Sequence, residues 1–80
     1  MTGIVRIGAT IFVKDEDKSV PKMEQYRAQI AGIKYRLQID YTMGTPYYEV
    51  FLEWEDEGRP QLRRVFAASS IEKLHVYFTK

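Results

Sequence analysis

Cysteine is absent from the chain, which excludes disulfide cross-links, thiolate metal sites and thiol redox chemistry. Histidine occurs once, as His75, so neither a histidine metal set nor a histidine relay can be assembled within one copy. The five glycines stand singly, at positions 3, 8, 32, 44 and 58, and none belongs to a phosphate-cradling loop. An excess of one charge is also missing. Twelve Lys and Arg against eleven Asp and Glu leave +1, too little for a long-range field that would gather a polyanion. Long apolar runs are lacking as well: Met1 to Val13 is broken by Arg6 and followed by the charged segment Lys14 to Lys18, unlike a membrane span or a signal peptide. Thr2 and the Lys80 end match no lipidation pattern, so the expectation is a soluble, cytoplasmic protein with no membrane partner.

What remains is the composition of an ordinary globular domain, with 45% hydrophobic, 14% aromatic and 29% charged residues. Eighty residues make one domain over 1–80. A chain of this size buries only about 60% of its unfolded surface, so its core is small.

The clearest pattern runs from Ile33 to Trp54. Ile33, Tyr35, Leu37, Ile39 and Tyr41, then Tyr48, Val50, Leu52 and Trp54, alternate with polar residues around Met43-Gly44-Thr45-Pro46. Alternation at period two gives each strand one apolar face, and the two segments form a hairpin. A four-residue loop pairs Tyr41/Tyr48, Ile39/Val50, Leu37/Leu52 and Tyr35/Trp54, with Arg36/Glu53 and Lys34/Glu55 on the other face. The cost is the like-charge pair Asp40/Glu49.

Upstream, Ile4 to Val13 reads as one strand buried on both sides, with Gly8 as a bulge. Pro21 followed by Met23, Tyr26, Arg27 and Ile30 at helical spacing predicts a helix from Pro21 to Ala31, ended by Gly32. Downstream, Asp56-Glu57-Gly58-Arg59-Pro60 is a turn and Leu62 to Ala67 a further strand. Phe51 opposite Phe66 and Glu53 opposite Arg64 is the preferred register, because a shift by one residue that sets Val50 against Phe66 and Trp54 against Leu62 would bury Arg64. Ser69-Ser70-Ile71-Glu72 has the form of a capping box, leading into a helix from Ser70 to Thr79 with Ile71, Leu74 and Phe78 toward the sheet. The expected fold is therefore α+β: a two-layer sandwich in the order β-α-β-β-β-α, with a mainly antiparallel four-stranded sheet and two helices on one face.

Catalytic chemistry is poorly supplied, and the expectation is a protein that is not an enzyme and carries no cofactor or metal. His75 falls on the solvent side of the last helix, and capping accounts for Ser69 and Ser70. Asp15, Asp17 and Ser19 begin a calcium-loop pattern, but Val20 and Tyr26 stand where its glycine and its bidentate glutamate belong. Glu53, Glu55, Asp56 and Glu57 are absorbed by Lys34, Arg36 and Arg64 across the strands.

The leading functional expectation is a small interaction module that binds a protein partner or forms a homodimer through a sheet face or the N-terminal edge strand. Its contact residues would be Phe12, Phe51, Phe66 and Tyr47, an aromatic centre with a charged rim. The alternative is a DNA- or RNA-binding module using Lys34, Arg36, Arg59, Arg63 and Arg64 as a local basic patch. The strand meander followed by a Ser-capped helix resembles, in outline, the β-β-β-α part of double-stranded-RNA-binding domains. Glu49, Glu53 and Glu55 on the middle strand and a lone Lys73 on the helix depart from that pattern, so no family is assigned. The size is that of a phage or mobile-element accessory protein.

Overall fold

The computed structural model describes residues 3–78, so the expectations for Thr2, Thr79 and Lys80 lie outside the described residues. Six strands follow one another as β1 (Ile4–Ile7), β2 (Thr10–Lys14), β3 (Met23–Ile30), β4 (Ile33–Asp40), β5 (Tyr47–Asp56) and β6 (Arg59–Ala68), and the helix α1 (Ile71–Phe78) ends the chain. They form one antiparallel meander in the spatial order β1-β2-β3-β4-β5-β6. The expected four-stranded sandwich with two helices is thus overturned: the protein is mostly β, with one short C-terminal helix over a six-stranded sheet.

Two segments account for the difference. Ile4 to Val13 is not one strand but a hairpin, turned at Gly8-Ala9 with Gly8 at φ 62°. A glycine at the first central position with positive φ is the requirement of a two-residue II′ turn. The segment expected as a helix, Pro21 to Ala31, is instead β3. Met, Glu, Gln, Arg and Ala favour helices, but Tyr26, Ala28 and Ile30 also alternate with Gln25, Arg27 and Gln29, and pairing along the whole of β4 decides the outcome. Gly32 is not a helix end; with Ala31 it makes the β3–β4 turn, both residues at positive φ (52° and 82°), as in a type I′ hairpin.

Alanine pays for that conformation with a Cβ clash of about 1–2 kcal/mol. Ala31→Asn should therefore stabilise the fold by roughly 0.5–1 kcal/mol, read as a higher urea midpoint at unchanged slope. A helix through this position would give the opposite sign.

In the β4–β5 hairpin the expected faces form, but the register is two residues away: Leu37 faces Val50, Ile39 faces Tyr48 and Tyr35 faces Leu52. An even slip leaves every side chain on its side of the sheet. The Asp40 carboxylate accepts bonds from the Thr42 amide (2.8 Å) and hydroxyl (2.6 Å), which turns the chain early. Asp40 consequently faces Tyr47 and Glu49 faces Gln38, so the like-charge pair is relieved. Those two bonds also hold the exposed Asp40 carboxyl below its ordinary pKa. Between β5 and β6 the register changes after Val50: Phe66 faces Val50, Arg64 faces Phe51, and Val65 is the extra residue. The register preferred from the sequence, with Phe51 opposite Phe66 and Glu53 opposite Arg64, occurs nowhere; the rejected one holds from Tyr48 to Val50, and the bulge at Val65 then keeps Arg64 on the open face, which removes the reason for rejecting it.

One sheet face carries the core. Ile7, Phe12, Tyr26, Leu37, Ile39, Val50 and Ala68 pack with Leu74 of α1, and Val5, Tyr35, Phe66, Ile71 and Phe78 surround them. The helix reaches both ends of the curled sheet, touching β1 and β6. Phe78 meets Phe12 and Tyr35 edge-on with centroids 5.5 Å away in each case, and Phe66 stacks on Tyr77 at 4.9 Å. With Ile71 as the first helical residue, Ser70 flanks the helix and Glu72 lies in its first turn, favourable for the helix dipole. His75 is not a solvated helix residue as expected: it is half-buried, and its Nδ1 accepts a bond from the Gly8 amide at 3.3 Å, tying α1 to the first turn.

At the edge of the core the Tyr26 hydroxyl donates to Glu24 Oε1 (2.9 Å), which also accepts from Tyr41 (3.1 Å). Burial first, and then the neighbouring Glu24, push the Tyr26 pKa far up, and the same causes raise that of Tyr41. The folded state thus keeps a phenol proton that the unfolded chain releases near pH 10. Its contribution is complete below about pH 10 and is lost as pH rises toward the folded pKa. Urea midpoints of the wild type should fall between pH 9 and 11.5 more steeply than those of Tyr26→Phe. Parallel curves would reject the assignment.

Candidate functional site

The sheet face away from α1 is polar at its centre. Arg36, on β4, is only 5% exposed. Its Nη1 lies 3.3 Å from Asp15 Oδ2, and its Nη2 lies 3.1 and 3.3 Å from the two Glu53 oxygens. Asp15, itself buried, is placed by its backbone: its amide bonds to the Gln25 carbonyl (2.8 Å) and its carbonyl accepts from Lys18, Ser19 and the Ser19 hydroxyl. Asp15 is thus drawn inward from the charged segment after β2, whose Glu16, Asp17 and Lys18 remain exposed. A second row runs from Gln25 to Gln38 (2.9 Å), from Gln38 to Glu49 (3.0 Å) and from Arg64 to Glu49 (3.0 Å). Among the described residues no buried side-chain donor or acceptor lacks a partner, so these groups hold one another in place and offer little to a reactant.

The residues expected to bind a partner do not come together. Phe12 is fully buried in the core and takes no part in a surface. Phe66 is half-buried on the helix side against Tyr77, Phe51 is half-buried on the open face beside Arg64, and Tyr47 lies exposed at the start of β5. The basic set is divided in the same way. Arg36 is buried between two carboxylates, Arg63 faces Leu52 on the helix side, Arg59 faces Asp56 at the turn, and Lys34 and Arg64 are on the open face. One continuous basic patch is not formed from these five.

A different set assembles where the sheet ladder stops. β2 pairs with β3 only at Val13/Arg27 and Lys14/Tyr26, although β2 begins at Thr10 and β3 continues to Ile30. Beyond that point Thr10, Ile11 and Phe12 follow β1, and Ala28, Gln29 and Ile30 follow β4. The β1–β2 hairpin leaves the sheet because Ile7 and Phe12 are drawn into the core, where Phe12 meets Phe78 of the helix. A notch of about 520 Å³ results, lined among others by Ile11, Val13, Arg27, Ala28, Lys34 and Tyr35. A second hollow of about 500 Å³ adjoins it, bounded by Ile33, Leu52, Trp54 and Pro60, and the two share Lys34 and Glu53. Ile11, Val13, Ile33 and Trp54 are 45%, 52%, 48% and 44% exposed: around one end of the sheet, Ile11 and Val13 meet solvent on the open face, and Ile33 and Trp54 on the helix side.

None of these four was among the contact residues expected from the sequence. Ile11 and Val13 belonged to a strand buried on both sides, and Ile33 and Trp54 to the core face. The available signal was Gly8: as a turn, it puts Ile11 and Val13 on the side of Ile4 and Arg6 and sends Phe12 inward. Among the described residues, no group of three His, Cys, Asp or Glu could hold a metal ion, and no helix is long and apolar enough to cross a membrane. Comparison with protein-family models, with curated proteins and with solved structures finds no match.

Proposed function

We propose that the protein is a non-catalytic interaction module that engages another polypeptide through the end of the sheet bearing Ile11, Val13, Ile33 and Trp54. The observation that carries this is the exposure of four large apolar side chains at one end of the sheet, Ile33 and Trp54 on the helix side and Ile11 and Val13 on the open face. Single exposed apolar residues are ordinary, whereas the hollow in which Ile33 and Trp54 meet Leu52 and Pro60, rimmed by Lys34, Glu53 and Glu55, has the composition of a protein interface. The divided basic set supports a polypeptide over a nucleic acid, since phosphate contacts need cations on one surface.

Affinity capture from host cells, with nuclease added, tests the proposal when wild type is run beside Ile33→Thr/Trp54→Thr. Threonine suits a strand, so the variant keeps the fold, which circular dichroism verifies. A polypeptide retained by the wild type and lost from the variant is the expected outcome, and sedimentation of both proteins shows whether that polypeptide is a second copy. An identical set captured by both, or capture abolished by nuclease, rejects it.

A further inference from the structure

We infer that the outer edge of β6 receives an acidic, extended segment of a partner protein as a seventh strand, antiparallel to Arg59–Arg64. This adds a second polypeptide-binding surface to the one proposed above and does not depend on it.

The backbone makes the first case. β6 ends the sheet and pairs with β5 alone. The turn between them has two residues, Glu57 and Gly58, both at positive φ (53° and 78°), so Asp56 and Arg59 form the hydrogen-bonded pair that closes the hairpin. Such pairs alternate along an antiparallel ladder. Gln61 and Arg63 therefore also turn their backbone groups to β5, while Pro60, Leu62 and Arg64 turn theirs outward. Pro60 agrees with this phase: a proline has no N–H, and at an outward position β5 loses no bond to it. Among the described residues, no backbone group of β6 bonds to another backbone outside the β5 ladder. The Pro60 carbonyl and the N–H and C=O of Leu62 and of Arg64 thus form an open row, which an extended chain satisfies in series. Pro60, Leu62 and Arg64 are all exposed, and α1 packs farther along the strand, where Tyr77 stacks on Phe66.

Charge selects the occupant. β6 carries three arginines and no acid. Arg64 is paired with Glu49, whereas Arg59 and Arg63 belong to no ion pair among the described residues. A second copy joined through the same edge would gather the arginines of both chains with no carboxylate on either strand, and basic residues with a proline are what keep an edge from pairing with itself. An acidic strand turns the same feature into attraction. Its residues opposite Arg59 and Arg63 lie on the helix side and are acidic, to pair with those guanidinium groups. Its residues opposite Pro60 and Leu62 lie on the open face and are apolar, since Leu62 is 53% exposed there. The residue opposite Gln61 is unrestricted. Along the partner the pattern is acid–apolar–any–apolar–acid.

Selection of random decapeptides displayed on phage, against the full chain, followed by titration of the enriched peptide, tests this. The enriched set is expected to carry that pattern, and the bound peptide should slow exchange of the Leu62 and Arg64 amides. Leu62→Pro should abolish binding while keeping the fold, checked by circular dichroism, because an outward N–H is all the backbone loses. Arg59→Gln/Arg63→Gln, which leaves the edge itself intact, should weaken binding about tenfold, as two exposed ion pairs together would. Ile33→Thr/Trp54→Thr should leave it unchanged. Failure to enrich any peptide, enrichment of basic sequences, or binding that survives Leu62→Pro overturns the inference. Loss of binding in Ile33→Thr/Trp54→Thr also overturns it and assigns the peptide to the hollow of those residues. A dimer seen in sedimentation of the protein alone and dissociated by Leu62→Pro overturns it in favour of a second copy.

Discussion

Phe12→Ala should come close to unfolding the protein. Phe12 is fully buried, packs edge-on against Phe78 and belongs to the core that joins the β1–β2 hairpin to α1. Truncating a buried phenylalanine removes its transfer free energy and leaves a cavity, together about 3–5 kcal/mol. A chain of 80 residues has in total about 4–12 kcal/mol of stability. The loss is therefore a quarter or more of what is available, and it falls on a hairpin that only two residue pairs fasten to the rest of the sheet. Urea unfolding of Phe12→Ala beside Phe51→Ala is the informative comparison: Phe51 is half-buried on the open face, and its truncation should cost about 1–2 kcal/mol less than that of Phe12. A Phe12→Ala unfolding free energy within about 1 kcal/mol of wild type would mean that the side chain is not in the core.

The same residue shows how far the sequence was legible. With Ile4 to Val13 unbroken, Phe12 falls on the face away from Ile7, and one two-residue turn at Gly8 reverses the side on which every later residue of the segment lies. Gly32 carried a similar ambiguity, since a glycine at positive φ ends a helix or closes a hairpin equally well. Helix propensity in Met23–Ile30 then favoured the wrong choice, and only the long-range pairing with β4 corrects it. Leu37 and Val50, by contrast, were placed in the core by alternation alone, and Ile71, Leu74 and Phe78 by helical spacing, because those patterns extend over a whole element.

The candidate site was less legible than the fold for a related reason. Exposure of Ile11 and Val13 depends on which side of β2 faces the core, and that depends on Phe12 and Phe78, which are 66 positions apart and share no local signal. Trp54 matched the core alternation as well as Leu52 did; its exposure follows from its position near the end of β5, where Gln61 faces it and no buried residue covers it. Periodicity identifies a face of a strand but not how far along that face the covering helix extends.

Arg36→Met should destabilise the protein by about 3–5 kcal/mol, the range for removing one partner from a buried ion pair. The guanidinium is 5% exposed and spans two carboxylates on different elements, Asp15 after β2 and Glu53 on β5. Without it Asp15 stays buried, with only Arg27 at 3.8 Å to offset its charge. Adding Asp15→Ala should restore part of the loss, because no buried carboxylate then remains unpaired; additive effects would show that the pair is not energetically coupled. Arg36→Lys should recover little, since a single ammonium cannot present the planar fork that reaches both acids. In 1 M NaCl the cost of Arg36→Met should persist, whereas that of removing Arg64, 57% exposed beside Glu49, should vanish with screening. The consequence extends to the site. Glu53 borders both hollows, and with Arg36 gone its carboxylate is no longer neutralised there.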